Sequence, residues 1–251
     1  IDAVTVSIEA NDTTDVFFST TSVEAGEGDG TATLTVGLTN PAENDATSVD
    51  VVLSSGDATD LDGYMTQTVT FEAGSTAEKT VTITIVDDTE DENEGESFVF
   101  DLDNVVGING AGEGADNMAT LYVTDNDTTQ VSFTSATATV AEDGTSVDLT
   151  VSITSASTTV PTTVEVALGS GDAAALEGYT TQTVTFPAGI SDDQTVTVSV
   201  TDNSFDDPDA DFGFALQNVA GTTTAGLGAE TGLTLTVTDD DVTEVAFAET
   251  A

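Results

Sequence analysis

The feature that most constrains this chain is a short acidic joint that recurs at a fixed interval. At the middle it reads Thr124-Asp125-Asn126-Asp127-Thr128-Thr129, between the alternating apolar runs Ala119-Thr120-Leu121-Tyr122-Val123 and Val131-Ser132-Phe133. Near the start it reads Asn11-Asp12-Thr13-Thr14-Asp15-Val16, and near the end Asp239-Asp240-Asp241-Val242-Thr243-Glu244-Val245. The matching positions Asp12, Asp127 and Asp241 stand 115 and 114 residues apart. A period this long marks a repeat of whole domains, since solenoid units recur at roughly 20–50 residues. Each period is long enough to bury its own core, and the joint leaves no room for a flexible linker.

Residues 13–127 form the first repeat. Phe17-Phe18 open it, followed by alternating runs at residues 32–38, 48–53, 67–71, 80–86, 97–102 and 119–123. These seven runs are rich in Val, Thr, Ile and Phe, with apolar side chains on every second residue, the pattern of half-buried strands. Turn clusters such as Gly26-Glu27-Gly28-Asp29-Gly30 and Ala73-Gly74-Ser75 separate them,. Residues 128–241 repeat the plan: Gly171-Asp172-Ala173 through Gly178-Tyr179 matches Gly56-Asp57-Ala58 through Gly63-Tyr64. Helical periodicity is missing. The expected fold class is all-β, as tandem immunoglobulin-like, seven-stranded antiparallel β-sandwiches. Residues 1–12 read as the last strand of a preceding repeat or a donor strand. Residues 242–251 read as the first strand of a following repeat or a terminal tail. Ile1 is not an initiator methionine, so a processed or excised chain is expected.

Charge narrows the function. Among 251 residues, 47 are acidic and Lys79 is the only basic one, for a net charge of −46. Nucleic acid is excluded as a partner because nothing neutralises phosphates, and anionic membrane surfaces are repelled. Cys and His are absent, which removes disulfides, thiol catalysis and imidazole bases. No run of 18 apolar residues is present, so no direct membrane insertion is expected. Paired carboxylates serve glycosidases, but a chain with no Trp and three Tyr offers no aromatic-lined cleft, and no enzyme is expected. A lone Lys79 in the first repeat also rules out an intramolecular isopeptide bond in the second. Asn11-Asp12-Thr13 and Asn126-Asp127-Thr128 match the glycosylation sequon,, yet both fall in the acidic joint, where a turn or ligand role is favoured.

Six pieces recur in order in both repeats. In the first they are Val23-Glu24, Gly56 to Tyr64, Val69 to Gly74, Val86-Asp87-Asp88, Glu96-Ser97-Phe98 and Asp125-Asn126-Asp127. Together they resemble the Calx-beta family over nearly the whole chain. The resemblance implies a sandwich that binds Ca²⁺ at one end, through an early Glu, an acidic loop and closing aspartates. Carried over, it implies Glu24, Asp87, Asp88, Glu92, Glu96, Asp125 and Asp127 in the first repeat, with Glu90, Asp91 and Glu94 in the same loop. In the second it implies Glu142, Asp202, Asp207, Asp239, Asp240 and Asp241, with Asp206 beside them. Gly63 and Gly178 stand where the family often has Asp, and Asn203 and Ala210 replace acidic positions in the second repeat. The first repeat is therefore expected to hold two ions and the second one.

Ca²⁺ takes six to eight oxygen ligands at roughly 2.3–2.6 Å and tolerates irregular geometry, whereas Mg²⁺ demands a tight octahedron. Carboxylates about 4 Å apart repel by about 1 kcal/mol even in bulk water, so a converging cluster calls for a cation. The solvated-acid alternative is that these residues only hydrate the surface. The function expected is a calcium-binding structural repeat of an extracellular bacterial stalk, adhesin or surface filament. Its partners would be neighbouring repeats or identical subunits end to end. The alternative is an adhesive module binding glycan or ice with a Thr-rich sheet face. A calcium sensor of a transporter fits the extreme acidity less well.

Overall fold

In the computed structural model, the described residues are 4, 6, 11–92, 95–108 and 110–247. Two compact units emerge, Ile1–Asp88 with Glu94–Asn126, and Thr89–Asn93 with Asp127–Ala251. The first holds β1 (Asp15–Phe18), β2 (Ser22–Gly26), β3 (Thr31–Leu38), β4 (Thr47–Ser55), β5 (Gln67–Phe71), β6 (Lys79–Thr84), β7 (Glu96–Val106), β8 (Gly112–Glu113) and β9 (Met118–Thr124). Its sheets run β6-β3-β1-β8 and β2-β9-β7-β4-β5.

The second unit holds β10 (Gln130–Phe133), β11 (Thr137–Ala141), β12 (Ser146–Thr154), β13 (Thr162–Ser170), β14 (Gln182–Phe186), β15 (Gln194–Ser199), β16 (Ala210–Ala220), β17 (Gly226–Leu227) and β18 (Gly232–Thr238). Its sheets run β15-β12-β10-β17 and β11-β18-β16-β13-β14.

The two-residue period produces the sandwich directly. In β3, Ala32, Leu34 and Val36 are buried while Thr31 and Thr33 face solvent, because successive side chains leave opposite faces of a strand. The first core gathers Val16, Phe18, Leu34, Phe71, Phe98, Phe100 and Leu121; the second gathers Val131, Phe133, Leu149, Phe186, Phe212, Phe214 and Leu235. Tyr64 meets Phe100 edge to face at 5.2 Å, and its hydroxyl donates to the Val51 carbonyl at 3.0 Å. Tyr179 repeats this on Phe214 and the Val166 carbonyl. Burial pushes both phenols up to about 12. Gly56 and Gly171, with φ of 107° and 102°, precede these tyrosines. A Cβ at either would collide with the ring of Phe98 or Phe212, which accounts for the recurring Gly-Asp-Ala.

The all-β tandem sandwich is as expected, but each unit has nine strands among the described residues rather than seven, and not every pairing is antiparallel. After Phe18 the chain crosses between sheets and forms a strand outside the seven expected runs, β2, which pairs in parallel with β9. The two-residue β8 adds a parallel pairing with β1. The second unit does the same with β11 on β18 and β17 on β10. Residues 242–247 take no strand form, and Val245 and Phe247 are exposed; residues 248–251 lie outside the described residues. Of the strand expected at the start, Val4 and Val6 are exposed and unpaired in any strand, while residues 1–3, 5 and 7–10 lie outside the described ones.

Candidate metal centre

The second unit shows the clearest site. Glu142 begins a single 3-10 turn, Glu142–Gly144, where β11 hands over to β12, and it is buried. The chain leaving β18 brings Asp239, Asp240 and Asp241 to the same end. One oxygen of Glu142 lies within 4.8 Å of oxygens from Asp239 and Asp241, and Glu142 also groups in this way with Asp202 and Asp240. The division has the two-residue period of an extended chain. Asn203 Nδ2 donates to Glu142 Oε2 at 3.2 Å. Glu142 Oε1, Asp239 Oδ1 and Asp241 Oδ2 are each buried and accept no hydrogen bond.

Three orphaned carboxylate oxygens in one cluster are costly, because a buried acceptor without a partner forfeits its solvation. The second unit contains no Lys, Arg or His, so no side chain there can neutralise them. Burial pushes the Glu142 carboxyl up, reinforced by Asp239, Asp241, Asp240 and Asp202. Burial likewise raises Asp240, with Asp143, Asp241, Asp202 and Asp239 adding to it. Hard oxygens, anionic charge and unfilled lone pairs fit a divalent cation of the Ca²⁺ type. An open cleft of about 360 Å³ adjoins the cluster, lined in part by Glu142, Asn203, Asp207, Phe212 and Asp239.

The first unit repeats the arrangement around Glu27, which begins the turn Glu27–Asp29 after β2 and is buried. Its carboxylate reaches within 4.8 Å of oxygens from Asp88 and from Asp125. Glu27 Oε1 also accepts the Asp88 backbone N–H at 2.8 Å. Glu96, at the start of β7, is pushed up to about 7 by burial first, then by Asp60, Asp57, Glu27 and Asp88. Burial raises Asp60 too, together with Asp57 and Asp88. Ala175 and Ala210 occupy the corresponding places in the second unit and line its cleft.

Several expected residues land elsewhere. Glu24 is corrected: it lies exposed on β2, opposite Tyr122, and the buried carboxylate is Glu27. The signal was available, since Glu27 stands 115 residues before Glu142, the spacing of the joints themselves. Asp57 and Asp60 were also missed. Asp87 is tied to Asn126, whose Nδ2 donates at 3.0 Å. Asp206 accepts the Thr243 N–H at 2.8 Å, and Asp207 lines the cleft rather than joining a cluster. Asp91 and Glu90 lie in the 89–93 segment, which by its contacts belongs to the second unit; Glu92 and Asp127 remain among the acidic groups that could hold an ion. Asp127 Oδ1 accepts from Ser155 Oγ at 3.4 Å. Glu94 lies outside the described residues.

A family model for the Calx-beta domain matches residues 9–127 and again 124–241. No curated protein sequence matches the chain. Among solved structures, CBD12 from CALX1.2 is 16% identical, with 89% of this chain and 99% of that one covered and a TM-score of 0.40. The calcium binding domain CBD12 of CALX1.1 is 16% identical over 88% of this chain and 98% of that one, with a TM-score of 0.41. The apo-form Calx CBD1 domain is 23% identical over 46% of this chain and 100% of that one, with a TM-score of 0.40.

The clusters dictate a pH dependence. A carboxyl whose pKa is higher folded than unfolded binds extra protons in the folded state between those two values, so stability falls as pH rises through that window. Glu96, at about 7, sets the upper end of the window, and Glu142, Asp240 and Asp60 move the same way. Asp50 and Asp91 are lowered instead, so their contribution changes only in more acid solution. In chelator, the thermal midpoint is expected to drop between about pH 5 and about pH 8. Scanning calorimetry checks this, and a midpoint that rises over that range contradicts it.

Proposed function

The chain belongs to the Calx-beta domain family, and from that footing we propose that it is a calcium-binding structural tandem of an extracellular bacterial stalk, adhesin or surface filament. The observation that carries this reading is the trio of buried, unbonded oxygens on Glu142, Asp239 and Asp241. In the second unit Ca²⁺ is held by Glu142 with Asp239 and Asp241, and by Glu142 with Asp202 and Asp240. In the first unit it is held at Glu27, with Asp125 on one side and, in a separate grouping, with Asp88. Backbone carbonyls and water complete a shell of roughly six to eight oxygens. The role is structural, not catalytic.

An ion in these places links the turn after β11 to the chain leaving β18, and the turn after β2 to the chain leaving β9. It fixes the direction in which the last strand of each sandwich exits, and so stiffens a string of domains. The partners are then neighbouring repeats or identical subunits end to end. A net charge of −46 favours hydration and cations and suits an extracellular setting. Among the described residues, no helix is long and apolar enough to cross a membrane.

A second reading has one observation behind it. On the outer face of the first unit, Thr31, Thr33 and Thr35 of β3 lie opposite Thr84, Thr82 and Thr80 of β6. Their spacing is about 4.8 Å across the strands and about 6.8 Å along them, a regular hydroxyl array suited to glycan or ice. Binding through that face is indifferent to chelation, which separates it from the calcium reading.

Calorimetric titration with calcium tests the main proposal. Heat of binding is expected in the intact chain, with Glu142→Gln losing the second unit's share and keeping the first's. An unchanged titration in Glu142→Gln contradicts the assignment. Small-angle scattering tests the stiffening: the maximum dimension is expected to change between calcium and chelator, and an identical value in both overturns that part.

A further inference from the structure

Asp91 is more completely buried than any other carboxylate among the described residues, at 0% exposure, yet it belongs to neither cluster. Its Oδ2 accepts the Thr129 N–H at 2.6 Å and the Thr222 hydroxyl at 2.7 Å. The Thr224 hydroxyl lies 2.8 Å from both of its oxygens. Thr129 immediately precedes β10 and is itself fully buried, with its own hydroxyl donating to the Ser155 carbonyl at 2.7 Å. Thr222 and Thr224 follow β16 on the way to β17. All three donors, and the segment 89–93 that carries Asp91, fall within the second compact unit. In sequence, however, that segment is the acidic loop between β6 and β7 of the first repeat.

We propose that Thr129, Thr222 and Thr224 form a carboxylate socket by which a domain captures the acidic loop of the repeat before it in the chain. The second domain thus takes residues 89–93 into its own fold. The ligand is an aspartate, and the chemistry selects it. One backbone N–H and two hydroxyls are aimed at a single group, and charge-assisted bonds of this kind are short and about twice as strong as neutral ones. Burial alone raises the Asp91 carboxyl, but the bonds from Thr222, Thr129 and Thr224 outweigh it and hold the group below its ordinary value. The donors that meet this buried carboxylate are all neutral.

The socket is encoded by few residues. In the first unit, Thr14 matches Thr129, is buried, and donates in the same way to the Asn40 carbonyl at 2.7 Å. After the glycine that ends the long strand, however, the second unit has Thr222 and Thr224 while the first has Ile108 and Gly110. The two hydroxyls are missing, so the first unit lacks this socket. A Thr-x-Thr after the long strand marks a receiving repeat.

Limited proteolysis of the full chain with a glutamyl endopeptidase, in chelator, tests the capture apart from any calcium. Cleavage after Glu92 is read by mass spectrometry. In the wild type this bond is expected to be cut at least ten times more slowly than in Asp91→Ala, with Thr224→Val also accelerated. Thr224 is exposed, so its replacement leaves the core intact even if Asp91→Ala proves unstable. Equal cleavage after Glu92 in all three proteins overturns the inference.

Discussion

The arrangement depends on how negative charge is accommodated where strands end. Each sandwich is an ordinary product of alternating Val, Thr, Ile and Phe, and its core would form with or without acidic loops. What the core cannot do is relieve Glu142 once the turn after β11 and the chain leaving β18 bring Asp239 and Asp241 against it. At about 4 Å, two unit charges interact by about 1 kcal/mol in water and about 4 kcal/mol near a protein surface. The unit contains no cationic side chain to offset this. Salt screens only beyond about 8 Å at physiological strength, so close pairs keep their repulsion. The proposed cation removes the conflict and, on that reading, ties together segments distant in sequence.

The same chain solves the same problem in a second way. Asp91 is buried more deeply than Glu142, but its oxygens are saturated by a backbone N–H and two hydroxyls. Glu142 has one amide donor on one oxygen and none on the other. The contrast separates structural carboxylates from candidate ligand carboxylates within one acidic sequence. Where donors converge, as at Asp91, the charge is a fixed part of the fold; at Glu142, where acceptors outnumber the one donor, the proposed ion takes that part. Asp50, held low by Thr68 and then Asn104, belongs with Asp91.

Much of this was legible in the residues. The joint at Asp125-Asn126-Asp127 and its counterparts exposed the domain repeat, and strand periodicity placed the runs that became β3 to β7. The closing aspartates and Glu142 were recognisable as candidate ligands from the family resemblance. The Val23-Glu24 motif points to Glu24, whereas the 115-residue offset from Glu142 points to Glu27. A strand position exposes Glu24, whereas the following turn buries Glu27. The parallel pairing of β2 with β9 was not legible, since a crossing between sheets leaves no mark on a two-residue period. Nor was Asp91's destination, because hydrogen-bond partners more than a hundred residues away in sequence are set by tertiary packing.

The central claim is that cation binding resolves the carboxylate clusters, and a thermal melt of the chelated chain with calcium added back tests it most directly. At a hundredfold excess over the dissociation constant, binding adds about 2.7 kcal/mol, which for a domain of this size is a rise in midpoint on the order of 10 °C. The account predicts that rise with calcium and little change with the same concentration of magnesium. A midpoint indifferent to calcium would contradict it, and would mean that the acidity serves surface hydration alone.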